Sequence, residues 1–340
     1  MEFIKRLEAL IDNLSSIKKP LGPRAQTQEE DLGDIDSSEA GVLHYEDLSS
    51  DGSPVDYAVD GSLRAIATPT FRLFLAVGVA YTKQGIVTIP GFKDVKHVAL
   101  QSDDEEALRK LEDVAIVKYK FANGEKLFRS DVPEDVVGKV VRETVEIALI
   151  KEAEGTALID GPLYYGLRGF PDIDSKRVEA LWGKRAVAVV KRLETSKKLC
   201  RAKEWVEKMG LRIDATCNDM AVAAELGRRH MKSHKDVVVF GPFRQTFKSN
   251  KLPVLPDRYL WYIYSASSIF RVEAFRREYV EETLPTLLRN RVVPGLPYHI
   301  ALVDKLAKDL SRRLAYLICV RLMGKGLNLT YDSLMECYAR

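Results

Sequence analysis

Residues 55–92 read VDYAVDGSLRAIATPTFRLFLAVGVAYTKQGIVTIPGF. An alternating run, VDYAVDGSLRAIA, gives way to a turn at Thr68-Pro69-Thr70. FRLFLAVGVAYT follows, then a turn at Lys83-Gln84-Gly85, then IVTIPGF. β-Branched and aromatic residues in short runs punctuated by Pro and Gly read as strands joined by tight turns. The stretch predicts a three-strand antiparallel meander, with Asp60 at the end of its first strand.

The pattern downstream is different. Residues 103–120 read as helical. Residues 132–153 read as an amphipathic helix, with Pro133 near its start and Val136, Val137, Val140, Val141, Val145, Ala148 and Leu149 on its buried face. TALIDGPL (156–163) is a fully buried strand stopped at Gly161-Pro162, RVEALWGK is helical, and RAVAVVKRLE (185–194) is another buried strand. A helix is expected over 196–210, ending at Gly210. Strands follow at 236–243 and at 258–275, the latter as a hairpin, and then a long helix at 299–323. A meander followed by alternating helix and strand predicts an α/β fold, a mixed sheet covered by helices. Three segments are expected: an N-terminal helix and acidic linker (1–54), a catalytic domain (55–323) and a C-terminal helix (324–340).

The 340 residues carry 52 basic and 49 acidic side chains, a net charge of +3. That total argues against a basic coat for nucleic acid, but it conceals segregation. Residues 29–60 hold eleven acids and no Lys or Arg, 176–208 hold eleven bases and four acids, and 300–325 hold six bases and two acids. A 46% apolar content excludes wholesale disorder. No apolar run approaches the roughly 18 residues of a membrane span, and the interrupted N-terminus is not a signal peptide. The four cysteines form no CxxC pair, which excludes a zinc knuckle, and their scatter argues against a disulfide scaffold. A reducing, cytoplasmic setting is expected. The density of charges of both signs is compatible with a thermophile.

Asp60-Gly61 and Asp160-Gly161 each close an apolar strand. Asp-Gly is a common turn signal. A carboxylate in apolar surroundings must otherwise pair, protonate or bind a cation. Two carboxylates at the mouths of neighbouring strands suit Mg²⁺ or Mn²⁺, which prefer carboxylate and water ligands. Glu143 and Glu146, three residues apart on the intervening helix, project near one face, and either completes an Asp–Glu–Asp set. Carboxylates on strand, helix and strand after a meander are the layout of the RNase H-like fold, in which metal ions clamp a scissile phosphate.

Four stretches resemble the NurA family, nucleases of archaea and bacteria that work with the HerA translocase. They are VDYAVDGS (55–62), RETVEIALIKEAEGTALIDGPL (142–163), VVKRLETSKKL (189–199) and LPYHIALVDKLA (296–307), the last with Asp304 seven residues after Pro297. The resemblance implies metal ligation by Asp60, Asp160, a helix acid at Glu143 (or Glu146 in the alternative register) and Asp304, where some relatives are expected to carry His. His299 is a weaker candidate on the same helix. Lys191 and Arg192 end a buried strand, where a cation can neutralise a phosphate or hold a carboxylate. Arg271 and Glu273 share a strand face, suited to a salt bridge or to function. Tyr262 and Tyr264 share another, suited either to the core or to stacking on unpaired bases, so Lys191, Arg192, Tyr262, Tyr264 and Arg271 are candidate nucleic-acid contacts. The resemblance further implies a homodimer that binds single- and double-stranded DNA and docks on a HerA-type hexameric ATPase. Its implied activity is 5′-to-3′ exonuclease on both forms of DNA and endonuclease on single strands, with two Mn²⁺ or Mg²⁺ ions, in end resection and break repair. Two other classes remain open. An actin-like ATP phosphotransferase needs phosphate loops that GPF at 241 and GKG at 324 do not convincingly form. A non-catalytic adaptor would keep the carboxylates as structural groups.

Overall fold

The computed structural model describes residues 2–19, 33–45, 52–92, 94–121, 123–165, 171–214, 217–233, 237–247, 255–292 and 295–338. In chain order, α1 (Glu2–Leu14) precedes β1 (Asp34–Asp36), β2 (Gly41–Tyr45), β3 (Tyr57–Ala67), β4 (Phe71–Thr82), β5 (Gly85–Ile89) and β6 (Val98–Ser102). Next come α2 (Glu105–Lys110), the hairpin β7 (Lys118–Phe121) and β8 (Gly124–Leu127), α3 (Glu134–Lys151), β9 (Thr156–Asp160), α4 (Pro171–Leu181) and β10 (Arg185–Val190). The short helices α5 (Lys198–Arg201) and α6 (Lys203–Lys208) lead to α7 (Asp219–His230), β11 (Val237–Thr246), β12 (Arg258–Ser265) and β13 (Ser268–Ala274). The chain ends with α8 (Arg277–Arg289), the pair β14 (Arg291–Val292) and β15 (Leu296–Pro297), α9 (Tyr298–Gly324) and α10 (Tyr331–Tyr338).

The meander forms as the sequence predicts. β3, β4 and β5 pair antiparallel, and β9 and β10 then add parallel on the other side of β3, giving the order β5-β4-β3-β9-β10. This is the RNase H-like arrangement. β13, β12 and β11 extend the sheet antiparallel from β10, and β1 and β2 close its far edge on β11.

Strand alternation sorts the core into two layers. Val59, Ile159 and Ala188 face α3, packing with Val137, Val141, Val145 and Leu149. Ala58, Leu158, Val187 and Val189 face the opposite way, onto Val280 and Leu284 of α8 and Ile300, Val303 and Ala307 of α9. Each fully buried Val or Leu contributes about 1.5–3 kcal/mol, so a charge at Val141 would break the α3 layer. Small residues at Ala307, Ser311 and Ala315 recur on the buried stripe of α9. They let the helix lie close on the sheet, and the Ser311 hydroxyl meets that of Ser62 in β3 at 2.9 Å.

Several expectations need correction. Asp60-Gly61 is not a turn, because β3 runs on to Ala67. A Cβ at Gly61 would lie 2.6 Å from Glu146 Oε1, so this glycine provides clearance for α3. The helix expected at 103–120 stops at Lys110, and β7 begins at Lys118. The helix expected at 196–210 breaks at Ala202. Part of the acidic linker forms β1 and β2, while Glu29, Glu30, Asp31, Glu46, Asp47 and Asp51 lie outside the described residues. The cysteines are not free: Cys200 bonds Cys217 and Cys319 bonds Cys337. Cys319 and Cys337 meet where α10 packs on α9, and Cys217 reaches Cys200 of α5 from the segment just before α7; partners 17 and 18 residues apart are not revealed by any local motif. Among the described residues, no helix is long and apolar enough to cross a membrane.

Candidate metal centre

Asp60 and Asp160 follow Val59 and Ile159, which are register partners on β3 and β9. Period-two alternation turns both carboxylates toward α9. Lys191, two residues beyond Val189, continues the same face at the end of β10. Asp304 descends from α9 one turn after Ile300 and directly after Val303, both buried on the sheet. One carboxylate oxygen each from Asp60, Asp160 and Asp304 lies within 4.8 Å of the others.

The Lys191 ammonium donates to Asp160 Oδ2 and to Asp304 Oδ1, both at 2.5 Å. Lys308, one turn along α9, donates to Asp304 Oδ2 at 2.7 Å. Asp60 is only 8% exposed, and no hydrogen bond or ion pair to it is found among the described residues.

The charges respond accordingly. Burial raises the Asp60 pKa well above its ordinary value, and the like charges of Asp160 and Glu146 add to this against the pull of Lys191. Burial also raises Asp160, with Lys191 opposing. At Asp304 burial acts upward, but Lys191 and Lys308 outweigh it and hold the carboxyl below its ordinary value. A buried acid cluster with an unpartnered member fits a hard divalent cation, whose charge offsets the repulsion and whose preferred donors are carboxylates.

The sequence profile of the NurA domain matches residues 54–309, about three quarters of the chain and all three aspartates. The chain belongs to the NurA family. It is similar in structure to the NurA nuclease from Sulfolobus solfataricus, at 11% identity and a TM-score of 0.44, covering 96% of this chain and 92% of that one. A NurA structure with manganese gives 9% identity and a TM-score of 0.40, covering 94% and 96%. A NurA structure bound to dAMP and manganese gives 8% and 0.40, covering 89% of each chain. No curated protein sequence matches the chain. The assignment to NurA rests on the profile.

The other candidate residues fall elsewhere. Glu143 and Glu146 are buried on the α3 side of the sheet, where Arg177 Nη1 bridges them at 2.6 and 2.7 Å. Tyr165 donates its hydroxyl proton to Glu143 at 2.6 Å. At Glu143 burial acts upward, but Arg177 and Arg142 prevail and lower its pKa. Glu146 is pushed up to about 7 by burial and by Glu143, against Arg177 and Arg142. Glu146 is the nearer of the two to Asp60: it packs on Gly61 and its charge reaches the Asp60 carboxyl. His299 is half-buried beside Tyr81, 4.9 Å between ring centroids, and burial lowers its pKa.

Of the expected aromatic pair, Tyr262 is core and Tyr264 is partly buried. Tyr262 is 1% exposed and donates to Asp219 Oδ2 at 2.7 Å. The ring of Tyr264 lies against α7, where a Cβ at Gly227 would come within 2.0 Å of it. Arg271 is also buried and pairs with Glu273 at 2.7 Å and Asp219 at 3.2 Å. The helix that covers this face, α7, lies between the expected helix at 196–210 and the expected strand at 236–243. Arg192 is exposed beside Lys191. Lys308 adds a group outside the sequence candidates, although its position four residues after Asp304 is the spacing of a helical ion pair.

Proposed function

We propose that this NurA-family chain is a metal-dependent deoxyribonuclease. The observation that carries the reading is the convergence of Asp60, Asp160 and Asp304 beside Lys191. Family membership supports the class of activity, and the geometry supports this choice of residues. Asp60 and Asp160 would hold Mn²⁺ or Mg²⁺, with Asp304 completing the acidic wall. A divalent ion bound there neutralises charge on the scissile phosphate and acidifies an attacking water.

The protein's own groups do the rest. Lys191 holds Asp160 and Asp304 in place and presents positive charge to the phosphate. Lys308 fixes the second oxygen of Asp304. Exposed Arg192, Lys197 and Lys203, with Lys305, Arg312 and Arg313 on α9, offer cations for the DNA backbone, which makes binding salt-sensitive. Glu143 or Glu146 would join the site only by leaving Arg177, so we assign this glutamate pair to holding α3 against α4.

The family resemblance extends the proposal to 5′-to-3′ exonuclease action on both forms of DNA, endonuclease action on single strands, a homodimer, and work beside a HerA-type hexameric ATPase in end resection. The test is incubation of end-labelled single- and double-stranded DNA with the protein in Mn²⁺, Mg²⁺ or EDTA, alone and with the ATPase. We expect cleavage with either metal and none in EDTA, with the label position reporting polarity. DNA left intact in Mn²⁺ under both conditions would refute the nuclease reading. An adaptor would bind DNA or the ATPase without cutting.

A further inference from the structure

The three aspartates are not equivalent. Among the described residues Asp60 has no hydrogen-bond or ion-pair partner, whereas Asp160 and Asp304 are bridged by one ammonium, 2.5 Å from an oxygen of each. The remaining oxygen of Asp304 is taken by Lys308 at 2.7 Å. A centre with two ions places them about 3.5–4 Å apart and needs carboxylates on both sides of the pair. Here the Asp304 side already holds a cation of the protein's own. No fourth acid joins the cluster among the described residues. Glu143 and Glu146 lie across the sheet and are tied to Arg177.

Charge points the same way. Within the pocket, three carboxylates are balanced by Lys191 and one divalent ion; Lys308, 53% exposed on the outer oxygen of Asp304, is solvated and adds further positive charge. A second divalent ion would leave this partly buried pocket with surplus positive charge and too few oxygen donors. An ammonium also carries three N–H donors. Two are used on Asp160 and Asp304, and the side chain is 23% exposed, which leaves one donor for an incoming phosphate oxygen.

We propose that this centre takes a single divalent ion, held by Asp60 and Asp160, and that Lys191 is its built-in second cation, standing on Asp160 and Asp304 where a second metal ion stands in two-ion centres. The inference rests on the metal-centre reading above and departs from the two ions that the sequence resemblance implies.

The test titrates the full metal-free chain with Mn²⁺ in the absence of DNA. Calorimetry counts the ions, and electron paramagnetic resonance separates isolated ions from spin-coupled pairs. Wild type should bind one ion per chain with the spectrum of an isolated ion. Lys191→Met should bind two, with a spin-coupled spectrum, and Asp60→Asn should bind none. Lys191→Gln repeats the count should the Met variant not fold. A spin-coupled pair in wild type would overturn the proposal, as would folded Lys191 variants that stop at one ion. No Mn²⁺ bound by wild type would instead bring down the metal-centre reading, and this inference with it.

Discussion

Asp60 and Asp160 occupy equivalent places on neighbouring parallel strands, each following one member of the Val59–Ile159 register pair. That equivalence places two buried carboxylates side by side, and among the described residues only Asp160 of the two has a lysine partner. Asp60→Asn should lower Mn²⁺-dependent cleavage by more than about 100-fold, beyond the usual loss on removing a supporting group. It should also raise Tm in EDTA at neutral pH. The Asp60 pKa is raised in the fold, so its contribution to stability is present at low pH and is lost as pH rises through the folded value. Calorimetry in EDTA checks this, and a lower Tm for the variant would mean that Asp60 holds the fold together, not a cation.

Glu146 makes a separate prediction about pH. Its ordinary value is 4.5, and in the fold it is pushed up to about 7. Between those values the folded chain binds the extra proton, so stability from this group is full below the lower value and is lost as pH rises through the upper one. Glu146→Gln removes the charge. Its Tm relative to wild type should therefore climb between about pH 5 and about pH 8. A flat difference across that window would contradict the assignment.

Glu273 accepts from Arg258 at 2.9 Å and from Arg271 at 2.7 Å, all three buried. Burial acts to raise its pKa, but the two guanidinium groups outweigh this and lower it. Glu273→Ala would strand both cations and cost about 3–5 kcal/mol. Denaturant unfolding measures this, and a loss under about 1 kcal/mol would show that the network relaxes without it.

The disulfides predict that iodoacetamide labels no cysteine until the unfolded chain is reduced. Each closes a loop of 17 or 18 residues, and opening one costs about 3 kcal/mol by loop entropy. A lower Tm after reduction is expected. Labelling of the native or unfolded chain without reductant would contradict the pairing.

Much of the fold was legible because it is local. The meander is written in Thr68-Pro69-Thr70 and Lys83-Gln84-Gly85, and the α3 layer in its valines. The three aspartates could be read as candidates, since each interrupts or follows an apolar stretch. Three kinds of information were not local. Whether Asp60-Gly61 turns or continues depends on β4 and on Glu146 packing over the glycine. Whether Tyr262 is a platform or core depends on α7, whose Asp219 receives its hydroxyl. The face on which Glu143 and Glu146 lie also needed the sheet: α3 covers the side that Asp60 does not face.

The most direct test of the central claim is an anomalous-difference map from crystals grown with Mn²⁺. The expected result is a peak bounded by Asp60 and Asp160 with Asp304 alongside, lost in Asp60→Asn. A peak on Glu143 and Glu146 instead, or no peak near the aspartates, would contradict it.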